Sequence, residues 1–135
     1  MAGGGSRELD ILGTLLTPGE LVKVHIVEKR LGGARMLEPA NVFATDRRII
    51  IIRRGVLGFH QDFKIIDYSN ITEIVLKNGI RYSKLHFALK GEVADPTGKR
   101  WLVGLDYKEA LGLVRFVNGM VEKPTQQVAT GHWHA

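Results

Sequence analysis

One change of hydrophobic period divides this sequence and limits what it can fold into. Between residues 20 and 105 apolar residues alternate with polar ones, as at Val22, Val24 and Ile26, which is the pattern of half-buried β-strands. Between residues 107 and 122 they recur every three or four positions, which is the pattern of an amphipathic helix. A helix with one apolar stripe has to dock on another element, and the preceding β-structure offers that surface. We therefore predict a mainly antiparallel β-domain, a small barrel or sandwich, closed at one end by a C-terminal helix.

Turn signals divide the alternating region into seven expected strands. These strands are predicted at residues 20–29, 41–45, 48–54, 59–68, 71–77, 81–89 and 99–105. Asp46 and Arg47 mark a tight reversal, because an Asp side chain can accept a hydrogen bond from the backbone two residues on. Asn78 and Gly79, which lie between two apolar runs, predict a two-residue hairpin with a type I′ turn. A short helix over residues 7–16 is predicted before the first strand.

Composition narrows the class of protein. The chain has no cysteine, which excludes a disulfide framework, a thiolate metal site and a cysteine nucleophile. Nineteen Lys and Arg against fourteen Asp and Glu give a net charge of +5, which favours an anionic partner. The longest apolar run is four isoleucines, far short of the roughly 20 residues of a membrane span. We therefore expect a cytoplasmic protein with a flexible leader at residues 1–6, one domain at 7–123 and a disordered tail at 124–135.

Signatures of catalysis and of metal binding are weak in this sequence. Residues 93–100 resemble a phosphate-binding P-loop, but Val93 and Arg100 stand where that motif requires Gly and Ser or Thr. His132 and His134 could bind a transition metal, yet two ligands are too few for a structural zinc site. We therefore expect a noncatalytic protein with no metal and no cofactor.

Three segments resemble the prokaryotic pleckstrin-homology-like (PH-like) domains, which are related to GRAM domains. They are Leu-Thr-Pro-Gly-Glu at 16–20, Phe-Ala-Thr-Asp-Arg-Arg-Ile-Ile-Ile at 43–51 and Asp-Tyr-Ser-Asn-Ile-Thr at 67–72. The resemblance covers residues 16–123. It implies a seven-stranded antiparallel split barrel of two near-orthogonal sheets, capped by a C-terminal helix. It implies little about the ligand, because this fold serves many unrelated tasks.

Four consecutive isoleucines raise the question of what covers the outside of the barrel. Ile50 and Ile52 face one side of their strand, and Ile49 and Ile51 face the other. A simple barrel buries only its inner face, so one pair needs a second cover. Either the predicted helix at 7–16 or a second subunit could provide it. Because PH-like domains often self-associate, the resemblance favours a homo-oligomer, and we assign the interface to Ile49 and Ile51.

Basic residues are predicted to gather at one end of the barrel, where the loops after the first, third and sixth strands meet in the PH-like architecture. The members of this loop rim are Lys29, Arg30, Arg35, Arg53, Arg54, Lys90, Lys99 and Arg100. Four acidic residues lie among these eight cations, namely Glu28, Glu38, Glu92 and Asp95, and leave an excess of four positive charges. Such a rim would attract an anionic lipid surface.

The sequence therefore predicts a noncatalytic interaction module. Its partner is expected to be either an anionic membrane surface, bound peripherally, or a protein or peptide. A peptide would add as a strand in the groove between the final helix and an exposed strand edge. The alternative is a small β-barrel that binds nucleic acid, for which Tyr82 and Trp101 are the candidate stacking residues.

Overall fold

Seven β-strands and two α-helices form within residues 3–29, 39–54, 61–92 and 101–122, which the computed structural model describes. The strands are β1 (Val22–Val27), β2 (Asn41–Thr45), β3 (Arg48–Arg54), β4 (Gln61–Asp67), β5 (Ile71–Asn78), β6 (Ser83–Leu89) and β7 (Leu102–Leu105). The helices are α1 (Gly3–Leu15) and α2 (Tyr107–Val121), and a 3-10 turn (Tyr68–Asn70) joins β4 to β5.

The strands form two antiparallel sheets. The first has the order β1-β2-β3-β4 and the second has the order β5-β6-β7, so within each sheet every strand pairs with its neighbour in the sequence, and the chain passes from one sheet to the other between β4 and β5. The predicted seven-stranded fold with a C-terminal helix is confirmed. The alternating pattern predicted it because each strand buries every second side chain against one shared core.

The main core lies between the two sheets and α2. Ile49 and Leu85 supply fully buried side chains from the sheets, and Leu113 and Val117 supply them from α2. The helix packs against β1 of one sheet and β5 of the other. Its start is fixed by Asp106, whose carboxylate accepts a hydrogen bond from the third backbone N–H of the helix at 3.1 Å.

The four isoleucines of β3 pack into two different clusters. Ile49 is fully buried in the main core, and Ile51 packs against the same core. Ile50 and Ile52 are also fully buried, but they lie on the outer face of the sheet beneath Leu12 of α1. The helix is therefore the cover. The assignment of a subunit interface to Ile49 and Ile51 is corrected, because that pair faces the inside of a single chain.

The reversal between β2 and β3 lies where it was predicted, but a different side chain holds it. The Thr45 hydroxyl accepts hydrogen bonds from the backbone N–H groups of Arg47 and Arg48, at 2.9 and 3.0 Å. Asp46 instead accepts from the backbone N–H of Leu21 at 3.0 Å. Asp46 thus ties the turn to the segment that precedes β1.

The hairpin between β5 and β6 is wider than the sequence predicted. Four residues, 79–82, separate the strands, and the loop is closed by the N–H of Gly79, which donates to the carbonyl of Tyr82 at 3.0 Å. The glycines with positive φ among the described residues are Gly19, Gly91 and Gly104, so Gly79 does not form the type I′ turn. That prediction is wrong.

Burial of the inner face explains the wider loop. In the observed register Leu85 lies opposite Leu76, and Phe87 lies opposite Ile74. A two-residue turn at 78–79 would instead place Arg81 opposite Leu76, on the face that the core requires to be apolar. The local preference of Asn-Gly for a tight turn is therefore overridden by the packing of the sheet.

Replacing Gly79 with Ala is expected to destabilise the protein by about 1–3 kcal/mol, since an added methyl group has no room. A Cβ at this position would lie 2.7 Å from the Tyr82 carbonyl oxygen, a backbone atom that moves only if the loop moves. Urea unfolding measures the effect. Gly112→Ala in α2 is the matched control, because no atom of the described residues lies within 4 Å of its added Cβ. If Gly79→Ala is as stable as the wild-type protein, or more stable, the described geometry of the loop is wrong.

Candidate functional site

The loop rim is only partly within the described residues. Four of its members, Arg30, Arg35, Lys99 and Arg100, lie outside them, and Arg54 ends β3. Lys29 and Lys90 are exposed. The backbone N–H of Lys29 donates to the carbonyl of Gly104 at 2.7 Å, which joins the end of β1 to β7. The binding of lipid by this rim stays a prediction.

Arg53, a further rim residue, is already bound within the chain. Its guanidinium donates two hydrogen bonds to the two carboxylate oxygens of Glu28, at 2.9 and 3.0 Å. Glu28 is buried and also accepts from the backbone N–H groups of Ala40 and Val103, at 3.0 and 2.9 Å. One carboxylate therefore connects the end of β1 to β2, β3 and β7. Arg53 serves this connection, and a ligand would have to displace it from a bidentate pair.

A second buried carboxylate organises the other end of the first sheet. The Glu20 side chain has no exposed surface and accepts from Nε and Nη2 of Arg48 at 2.9 and 2.8 Å. It also accepts from the backbone N–H of Thr17 and from the Thr45 hydroxyl, at 2.9 and 2.7 Å. The Arg48 guanidinium donates onward to the carbonyl of Leu15 at 2.7 Å, which holds the end of α1.

The three segments that resemble PH-like domains meet in this group of residues, which we call the Glu20 cluster: Thr17, Glu20, Thr45, Arg48 and Tyr68. The Tyr68 hydroxyl donates to the carbonyl of Thr45 at 2.6 Å. Arg48 holds the pKa of the Glu20 carboxyl far below its usual range, and burial raises the pKa of the Tyr68 hydroxyl. Since the buried Glu20 carboxylate and the Thr45 and Tyr68 hydroxyls are bonded within the cluster, its role is to hold these segments of the fold together.

The edge of the first sheet carries an apolar surface that the sequence did not reveal. β4 is the last strand of that sheet, and Phe63 and Ile65 on it are 45% and 46% exposed. They lie opposite Ile52 and Ile50 of β3, so all four side chains share the outer face. The helix α1 covers Ile50 and Ile52 and leaves the β4 residues open. We call residues 62–65 the β4 edge.

The outer face of the second sheet carries an aromatic and basic surface. The ammonium groups of Lys77 and Lys84 lie 5.3 and 5.1 Å from the ring centre of Trp101. The His86 ring lies 5.3 Å from the same indole at an angle of 34°, and its buried Nδ1 has no hydrogen-bond partner among the described residues. An open groove of about 320 Å³ lies beside these residues and is lined by Tyr82. Of this group, Trp101 and Tyr82 were identified from sequence and the two lysines were not.

The described residues give no sign of a metal centre or of a membrane span. Within residues 3–29, 39–54, 61–92 and 101–122 no three His, Asp or Glu side chains are grouped so that they could hold a metal ion. His132 and His134 lie outside these ranges. Neither α1 nor α2 has the length and the hydropathy that crossing a bilayer requires.

Comparison with known proteins relates this chain to PH domains. Residues 16–95 match the family model described as bacterial PH domain. A solved protein of the DUF1696 family with a pleckstrin-homology domain, from Shewanella loihica PV-4, superposes with a TM-score of 0.56 at 16% identity, over 86% of this chain and 92% of that chain. A pleckstrin homology domain from Shewanella amazonensis SB2B gives the same TM-score and identity, over 86% of each chain. Among curated proteins none matches.

The match to the family model carries the assignment, since the two solved structures are similar in fold alone. It covers more than half of the chain and includes all three segments of the Glu20 cluster. The two Shewanella domains show the same architecture as the two sheets and C-terminal helix described above. The chain therefore belongs to the bacterial PH domain family.

Proposed function

We propose that this protein is a noncatalytic docking module that associates with a second copy of itself through the β4 edge. The observation that carries the proposal is an open strand edge beside exposed apolar side chains. Within the described residues, the backbone groups on the outward side of β4 have no strand partner. Such an edge is a template for pairing with another strand.

The side chains of the β4 edge favour a protein partner. Phe63 and Ile65 each keep nearly half of their surface in water, although Ile50 and Ile52 beside them are fully buried. The four together form one apolar surface, of which α1 covers only part. Extending the sheet across β4 would continue this surface and bury the part that is left open.

Charge selects one register for the pairing of two copies. Antiparallel pairing that keeps the outer faces together can be centred on any residue of the β4 edge. Centring on Asp62 places two carboxylates opposite each other, and centring on Ile65 places Lys64 opposite an isoleucine, with no opposite charge facing it. Centring on Lys64 places two ammonium groups opposite each other, which is unfavourable. Centring on Phe63 places Asp62 of each copy opposite Lys64 of the other. Lys64 is 45% exposed in its 3.4 Å contact with Glu92, so it can also reach a second carboxylate.

Replacing Phe63 with Glu is expected to weaken self-association at least about 30-fold, the equivalent of the roughly 2 kcal/mol that a central interface residue carries. In the proposed register the substitution places two carboxylates against each other on the symmetry axis. Sedimentation equilibrium over a range of protein concentrations measures the dissociation constant, and circular dichroism checks that the variant folds.

Ile80→Glu is the matched control, because it places the same charge on a fully exposed isoleucine in the β5–β6 loop, which belongs to the other sheet's hairpin. It should leave the dissociation constant unchanged. A wild-type protein that stays monomeric at millimolar concentration would refute self-association. Equal effects of the two substitutions would refute the β4 edge as its site.

A further inference from the structure

We infer that the end of the β5–β6 hairpin is a second docking surface, independent of the β4 edge, and that it binds the surface of an anionic lipid bilayer. The surface consists of Ile80 and Arg81 in the loop, Lys77 and Lys84 on the strands, and Tyr82 and Trp101 beside them. It lies on the second sheet and is not part of the loop rim that the sequence predicted.

The tip of the hairpin presents an aliphatic side chain to solvent. Ile80 has a relative exposure of 107%, the highest among the exposed large apolar residues of the described chain. The loop is fixed at its base by the bond from Gly79 to the Tyr82 carbonyl and by the Ser83 hydroxyl, which donates to Asn78 at 3.0 Å. The isoleucine is therefore carried on an ordered projection of the sheet.

The charges around the tip have one sign. Between Glu73 and Glu92 the sequence contains four cations and no acidic residue. Three of the cations, Lys77, Arg81 and Lys84, belong to the hairpin end, and all three are exposed. A cluster of cations at this spacing is attracted to the anionic headgroups of a membrane. The apolar tip can then enter the boundary between the headgroups and the acyl chains.

Two of these cations are held close together, with no acidic partner in the described part of the chain. Lys77 and Lys84 lie directly opposite each other in the ladder of β5 and β6, an arrangement that is unfavourable for like charges. Both ammonium groups lie over the Trp101 ring, and within the described residues neither forms an ion pair with a carboxylate. A phosphate or carboxylate group bound between them would relieve their repulsion.

The aromatic residues favour a lipid surface over nucleic acid. Trp and Tyr rings lie at the headgroup level of membranes, and lysines extend their ammonium groups from there into water. Stacking of a nucleic-acid base on Trp101 would have to displace two ammonium groups from the ring. A fully exposed aliphatic tip also has no partner on a phosphate backbone, whereas it has one in the acyl region of a bilayer.

Sedimentation of the full chain with lipid vesicles tests this inference. The protein should bind vesicles of 70% phosphatidylcholine and 30% phosphatidylserine, and not vesicles of phosphatidylcholine alone. Replacing Lys77 and Lys84 with Gln should weaken binding about 25-fold, at roughly fivefold for each cation. Replacing Ile80 with Ser should weaken it roughly tenfold, because the tip no longer enters the boundary.

Lys23→Gln/Arg115→Gln is the matched control, since it removes the same charge from exposed side chains on β1 and α2. It should weaken binding less than about threefold. In a Trp133→Phe background, Trp101 is the remaining tryptophan and its fluorescence should shift to the blue when vesicles bind. Thermal unfolding checks that each variant is folded.

Three results would overturn the inference. One is the absence of binding to the serine-lipid vesicles, or equal binding to both kinds of vesicle. Another is an equal loss of binding in the Lys77/Lys84 variant and in its control. The third is binding of a 20-nucleotide oligothymidine that needs Lys77 and Lys84 while vesicles do not bind, which would assign the surface to nucleic acid.

Discussion

Replacing Glu20 with Gln is expected to destabilise the domain by about 3–5 kcal/mol, the usual consequence of removing one partner of a buried ion pair. Gln keeps the size of the side chain but cannot balance the charge of Arg48, whose side chain is only 18% exposed. The donors that converge on the carboxylate come from Thr17, Thr45 and Arg48, so the loss affects α1, β1, β2 and β3 together. Urea unfolding at pH 7 measures the change.

The same substitution should alter how stability depends on pH. Because Arg48 holds the pKa of Glu20 far below the ordinary value of 4.5, the unfolded chain takes up a proton at this group at a higher pH than the folded chain. The stabilisation from Glu20 is therefore complete above pH 4.5 and decreases as the pH falls below it. Between pH 5 and pH 3, roughly, wild-type protein should lose stability more steeply than Glu20→Gln.

Glu73→Gln provides the control for both measurements, because Glu73 is an exposed carboxylate on β5. It should change the free energy of unfolding by less than about 0.5 kcal/mol and leave its pH dependence intact. If the two substitutions destabilise the domain equally, the Glu20 cluster does not hold the sheet and α1 together.

The fold could be predicted from sequence because its main signal is local. The alternation at Val22, Val24 and Ile26 can be read within the six residues of β1. The spacing of Leu113 and Val117 can likewise be read within the single helix α2. Residues that face the core recur every two positions in a strand and every three or four positions in a helix, and this spacing does not depend on distant parts of the sequence. That periodicity placed all seven strands and α2 to within a few residues.

The details of the sites depend on register, which local patterns do not contain. Arg53 was predicted to be a ligand-binding cation, but its partner Glu28 is 25 positions away and meets it only once β1, β2 and β3 are paired. Phe63 and Ile65 are residue types that are usually buried in a strand. They are exposed here because β4 lies at the edge of its sheet. Lys77 and Lys84 are seven residues apart, and the width of the hairpin loop decides that they face each other.

The segments that identified the family turned out to stabilise the fold. The Thr-Asp-Arg-Arg turn contributes Thr45 and Arg48 to the Glu20 cluster, and the segment at 67–72 contributes Tyr68. A polar cluster of this kind can work only if every member is present, because an unpaired buried charge is strongly destabilising. This physical requirement explains why the motifs predict the scaffold well and the ligand poorly.

Replacing Leu113 with Ala is expected to destabilise the protein by about 2–5 kcal/mol, because the substitution leaves a cavity where α2 joins the two sheets. The Leu113 side chain is fully buried in the main core, and the helix contacts β1 and β5, which belong to different sheets. The midpoint of urea unfolding measures the loss.

Leu111→Ala makes the same change two residues earlier on the same helix, at a half-buried position, and should cost about 1 kcal/mol or less. Because both substitutions alter helix propensity equally, the difference between them reports the docking of α2. Equal losses would mean that the helix does not connect the two sheets through this face, and the two-sheet core would need another explanation.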